Sequence, residues 1–239
     1  MFGALKKKKT LTAYGLFSKP EAAEKIVAGA RHVHSSNLGA HDPLVAITEG
    51  GSERGLDFSY PWERRQEAQF VEVRSAEDRH KVLRELVGLL GTDGHSTLKD
   101  VVGTVLEELI SNAIYHGLRL KNGERKFNRF EKPQLQPSEY IKVGTKVAPN
   151  GVYVSVEDSG GSLTFEDIQE AFYRCYQRGL NQIQQKDNGA GLGLYMSFDQ
   201  ATHLRIDVWP GKKTVVSCWI NRKRVPNEDN FSFNYFERT

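Results

Sequence analysis

Two stretches of this chain alternate in hydropathy over much of their length, and that period constrains the fold more than any other feature. "YIKVGTKV" and "VYVSVED" flank "APNG", and "LRIDVWPGKKTVVSCWI" alternates on both sides of Pro210 and Gly211. A strand sends successive side chains to opposite faces, so a period of two marks a half-buried β-strand. Asn-Gly and Pro-Gly between such runs are turn chemistry, so each pair is expected to form an antiparallel hairpin.

Helical signals surround the hairpins. "FVEVR" reads as another strand, after which Ser75 and Asp78 form a capping box for a helix carrying Val82, Leu83, Leu86, Val87 and Leu90, ended by Gly91. Ser96 is expected to cap a second helix, with Leu98, Val101, Val102, Val105, Leu109 and Ala113 as its apolar stripe and Gly117 as its stop. Thr164 and Asp167 cap a third, bearing Ile168, Ala171, Phe172 and Tyr176. Leu194, Tyr195, Met196 and Phe198 open a fourth. Helices set against hairpins give an α+β class: a two-layer α/β sandwich with a mixed, mostly antiparallel sheet and helices on one face.

Residues 1–64 differ in character from the rest of the chain. A helix is expected after Pro20, with Ala22, Ala23, Ile26 and Val27 apolar, then a short strand in "DPLVAITEGG" and a flexible "GGSERG" turn. The expected organisation is an N-terminal extension over 1–64, a central domain over 65–222 and a polar C-terminal tail over 223–239. A net charge of +3 excludes nucleic acid or membrane binding driven by whole-molecule electrostatics, leaving only local patches such as Lys6 to Lys9. Cys175 and Cys218 make neither a disulfide framework nor a metal-ligand spacing, which suits a reducing, cytoplasmic location. No apolar run approaches the roughly 20 residues of a membrane span.

Three short motifs carry candidate chemistry. In "NGAGLGLYM", Gly189, Gly191 and Gly193 match neither the dinucleotide fingerprint nor a P-loop. They suit either a plain connector or a loop whose amides face an anion at a helix N-terminus. On the second helix, Asn112 lies close to the apolar stripe and Glu108 precedes it by one turn, so the two side chains converge. They are either a wet-edge Glu with a backbone-bonded Asn, or a hard-metal ligand beside a general base. Asp158 closes a strand at "EDSGGS", where it is either a turn residue or a fixed carboxylate accepting from an amino group.

In this order, "EELISNAIYHG", "EDSGGS" and "NGAGLGLY" resemble the N, G1 and G2 boxes of the histidine-kinase-like ATPase superfamily, the GHKL or Bergerat fold. The likeness runs over about residues 66–221. It implies ATP and Mg²⁺ as cofactors, with Asn112 holding Mg²⁺ and Asp158 reading the adenine amino group. It also implies that Gly160 opens the base pocket, that Gly189, Gly191, Leu192 and Gly193 wrap the phosphates, and that Thr214 supports adenine through water. The lid falls at about 163–188. Within the superfamily the chain looks like the anti-sigma-factor serine kinases, which makes Glu108 the general base and implies a sigma-like or anti-anti-sigma-like regulatory partner. A homodimer is also in keeping with that resemblance.

The chain departs from the family pattern in three places: Ser162 replaces the second G1 glycine, Tyr115 stands where a phosphate-side cation is common, and Lys213 replaces a frequent Gly. His32 and His34 do not resemble a phosphoacceptor and read as ordinary structural histidines. The expected function is an ATP-dependent protein serine/threonine kinase. Its alternatives are a nucleotide-responsive sequestering module and the catalytic half of a split histidine kinase. The insert from Arg119 to Lys132, with six Lys or Arg against two Glu, reads as a solvated loop or a docking surface for an acidic protein.

Overall fold

The computed structural model describes residues 11–35, 69–90, 96–120, 122–128, 131–148, 151–180, 192–222 and 231–239. The lysine run at 6–9, the strand expected within 42–51, the turn at 50–55, Gly91, Gly189, Gly191 and the lid beyond residue 180 lie outside them.

Eight strands form one sheet: β1 Leu11–Gly15, β2 Ala30–Ser35, β3 Gln69–Val73, β4 Ile141–Ala148, β5 Gly151–Asp158, β6 His203–Trp209, β7 Lys213–Asn221 and β8 Phe231–Glu237. Their order is β1-β2-β8-β6-β7-β5-β4-β3. Both expected hairpins are present, β4 with β5 and β6 with β7, and only the β1–β2 and β6–β8 pairs are parallel. This is the mixed, mostly antiparallel sheet that the alternation calls for.

Five helices are described: α1 Lys19–Val27, α2 Ala76–Gly88, α3 Ser96–Asn112, α4 Phe165–Leu180 and α5 Leu192–Gln200. Local sequence explains where they start. Thr164 and Asp167 exchange side-chain and backbone hydrogen bonds at the start of α4, and Ser18 and Glu21 do the same for α1, with Pro20 in its first turn. The Ser75 hydroxyl caps α2, while Asp78 reaches back to the Arg74 amide. Neighbour contacts run α2 to α3 to α5 to α4 to α1, so the helices make one layer with α3 near its middle. That position buries α3 over more than the expected stripe, adding Leu106 and Ile110.

The termini differ from the expectation. Residues 231–237, read as tail, are β8, an interior strand between β2 and β6. Its alternate residues Phe231, Phe233 and Tyr235 are buried in the core, with Phe233 beside Phe172 of α4 and Phe198 of α5. Residues 11–35 likewise contribute a β1-α1-β2 unit that joins the sheet through β2 and β8. Lys19 of α1 donates to the carbonyls of Phe198 and Ala201, satisfying acceptors at the C-terminal end of α5. His32 and His34 sit on β2, one beside Asn234 and the other stacked on Tyr14.

Candidate functional site

β5 ends at Asp158, and its alternation determines where that carboxylate goes. Val152, Val154 and Val156 are all buried on the helix side, and Asp158, two residues on, is buried with them at 5% exposure. Its Oδ1 accepts from the amides of Gly160 (2.9 Å) and Gly161 (3.4 Å). Burial pushes its carboxyl from 3.8 up to about 6, the two amides and the nearby Thr214 hydroxyl only tempering the rise. Thr214 faces Asp158 across the β5–β7 pair. Its buried hydroxyl lies close enough to draw the Asp158 carboxyl down slightly, but outside the geometry of a formed hydrogen bond.

The C-terminal end of α3 comes to the same place through a π-helical turn, Ala113–Gly117. Such a turn inserts a residue and redirects the chain, and is often found at functional sites. A Cβ on Gly117 would stand 2.8 Å from the Asp158 carboxylate, and one on Gly160 would collide with the Gly117 carbonyl. Only glycines permit this contact. Ser162 then ties it down, its hydroxyl set to bond the carbonyls of Gly117 (2.8 Å) and His116 (3.1 Å). The replacement of the second G1 glycine thus has a structural reason.

Glu108 and Asn112 are both half-buried and one turn apart on α3, but they face different neighbours. Asn112 lines a cavity of about 180 Å³ that also includes Asp158, Thr214, Val156, Val216 and Leu194. Glu108 is not part of that lining. Its carboxylate lies against Gly193 in the first turn of α5, where a Cβ would run into Oε2. Gly193 therefore allows α5 to approach α3. Gly189 and Gly191 lie outside the described residues, as does the Leu192 side chain, so of the glycine loop only Gly193 is seen beside the cavity.

The other departures are also accounted for. Tyr115 packs against the core. Lys213 pairs with Glu157 at 3.2 Å and lies over Trp209, consistent with strand alternation turning it away from Thr214. Beyond the motif residues the cavity takes in Leu163, Glu170 and Arg174, which fall in the expected lid range, and, from the basic insert, Arg119 and Arg125. Asp167, expected only as a helix cap, lines it as well and stands 3.8 Å from Arg119. Asp167, Glu170 and Arg174 share one face of α4 at helical spacing, whereas the place of Arg119 and Arg125 depends on how the insert folds back, which no periodicity reports.

The donor set suits a nucleotide. An acceptor and an orphaned hydroxyl lie at the polar end, with Val156, Val216 and Leu194 as apolar wall. Among the described residues no cluster of three or more His, Cys, Asp or Glu could hold a metal alone. A hard cation here would take the Asn112 amide oxygen together with ligand oxygens and water, which is how Mg²⁺ is commonly bound beside phosphates.

Comparison with known proteins bears on the same segment. The family model described as "Histidine kinase-, DNA gyrase B-, and HSP90-like ATPase" matches residues 98–224, from α3 through β7. No curated protein matches the chain. No described helix is long and apolar enough to cross a membrane.

Proposed function

The chain belongs to the histidine kinase-, DNA gyrase B-, and HSP90-like ATPase family, and from that premise we propose an ATP-dependent protein serine/threonine kinase of the anti-sigma-factor type, acting on a small regulatory protein. The observation that carries this reading is the arrangement along α3, with Asn112 facing the cavity and Glu108 one turn back against Gly193.

In this reading Asp158 accepts from the adenine amino group, Thr214 supplies its unused hydroxyl, and Gly117 and Gly160 keep that end of the pocket open. Asn112 holds Mg²⁺, which would supply charge neutralisation at the phosphates. Glu108 takes the proton of the incoming Ser or Thr hydroxyl as that oxygen bonds to the γ-phosphorus and the bond to the bridging oxygen breaks, releasing ADP. Positioning and electrostatics suffice for such a transfer.

The decisive experiment is Glu108→Ala. Mg-ADP binding, followed by calorimetry, should stay within about twofold, while transfer from γ-labelled ATP to an acceptor protein should fall at least about a hundredfold. Unchanged transfer removes Glu108 from the chemistry. A sequestering module is the second reading, favoured by Tyr115, which packs in the core rather than placing a cation at the cavity. It predicts partner capture that depends on nucleotide and survives Glu108→Ala intact.

A further inference from the structure

The basic insert is anchored to the domain, and of its described cations Arg119 and Lys126 have carboxylate partners. Leu118 and Leu135 are buried and Phe127 packs on the core. Between them residues 118–120 and 122–126 pair as a small hairpin, closed by Leu120 N to Glu124 O (2.8 Å) and Lys126 N to Leu118 O (3.2 Å), with Gly123 at φ +86° in the turn. Asn122 braces it by accepting from the Glu124 amide. Lys126 is held by both oxygens of Glu139, at 2.5 and 2.7 Å.

At the cavity mouth the cations differ. Arg119 is directed to Asp167 and to the Gly123 carbonyl. Arg174 is directed to Glu170. Arg125, opposite Arg119 in the hairpin, lines the same cavity and is exposed, with no side-chain partner among the described residues. The hairpin therefore presents the Arg125 guanidinium to a pocket whose other described arginines, Arg119 and Arg174, have carboxylate partners. Guanidinium matches phosphate oxygens in shape and charge, and one without a carboxylate partner has no ion pair to give up on binding.

We infer that Arg125 is a phosphate-binding residue of this site, contacting the polyphosphate of a nucleoside di- or triphosphate from outside the three motifs. The inference rests on the reading of the cavity as an ATP site.

Arg125→Ala and Arg125→Lys are compared with wild type by calorimetry, using Mg-ADP, a non-hydrolysable Mg-ATP analogue and adenosine. Arg125→Ala should bind both phosphorylated ligands roughly tenfold more weakly and adenosine within about twofold of wild type. Arg125→Lys should recover part of the loss, and raising the salt concentration should narrow the gap between wild type and Arg125→Ala. Equal weakening for adenosine and ADP would mean that Arg125 shapes the pocket without contacting phosphate, which overturns the inference. So would wild-type affinity for ADP in Arg125→Ala. A wild type that binds no nucleotide overturns the ATP reading itself, a failure separate from that of Arg125.

Discussion

Two buried aspartates on neighbouring register rows of the sheet are treated in opposite ways. Asp158 aligns with Thr214 and Asp207 with Val215, so alternation puts them on opposite faces. Their exposures are alike, 5% and 6%. Asp207 receives Arg205 at 2.5 and 3.0 Å and Arg238 at 2.6 and 2.8 Å, both guanidiniums also lying over Phe236. Asp158 receives two amides among the described residues, with the Thr214 hydroxyl nearby but outside hydrogen-bond geometry. A buried carboxylate answered by cations fastens the sheet, here linking β6 to the residues just after β8. One left short of donors is held ready for a ligand.

The largest expected effect breaks the fastened side. Asp207→Ala leaves two arginines without their carboxylate and should cost about 3–5 kcal/mol in urea unfolding, with Mg-ADP affinity changed little wherever the protein stays folded. A loss below about 1 kcal/mol would make the triad ornamental. On the ligand side, Asp158→Asn should weaken Mg-ADP by roughly 10- to 100-fold in calorimetric titration without lowering stability at neutral pH.

The pH dependence of stability sharpens the contrast. With 3.8 as its ordinary value and about 6 when folded, Asp158 keeps its proton in the native state over a window where the unfolded chain has released it. Its contribution is therefore neutral below about pH 4, grows destabilising up to about pH 6, and stays near 3 kcal/mol above that, at about 1.4 kcal/mol per pH unit. Denaturation at pH 7.5 should show Asp158→Asn more stable than wild type, an advantage that shrinks towards pH 4. In the proposed reading adenine binding calls on the carboxylate, so wild-type Mg-ADP affinity should fall as pH drops through 6. An affinity flat from pH 5 to 8 would remove Asp158 from the ligand contact.

The residues around the cavity were more legible in the sequence than the β1-β2-β8 end of the sheet. Asp158, Asn112 and Gly193 stand out because glycine spacing and a polar residue beside an apolar stripe are local signals, and the structure brings them to one region. β8 was hidden although "FSFNYFE" alternates, because its partners β2 and β6 are remote in sequence and its intervening positions are polar. Those polar positions, Ser232 and Asn234, are buried. Arg125 was visible only as charge, since a hairpin that folds onto a cavity leaves no periodic trace.

The smallest effect concerns the joint between β5 and α3. A glycine at 162 would match the family pattern, yet it would leave the carbonyls of His116 and Gly117 without the Ser162 hydroxyl, and the π-helical turn would lose its tie to the end of β5. A hydrogen bond of this kind contributes about 1 kcal/mol, and the two share one donor, so Ser162→Gly should cost about 1 to 2 kcal/mol in urea unfolding, part of it from added backbone freedom. Ser162→Ala separates the two causes, because it removes the hydroxyl and keeps the backbone restricted. If the tie also positions Asp158, Ser162→Ala should weaken Mg-ADP by about twofold to threefold, with adenosine affected equally because the joint lies at the base end. Unaltered stability in Ser162→Ala would mean that Gly117 and Gly160 hold the joint by packing alone, and the cavity's polar end would then need no hydroxyl to fix it.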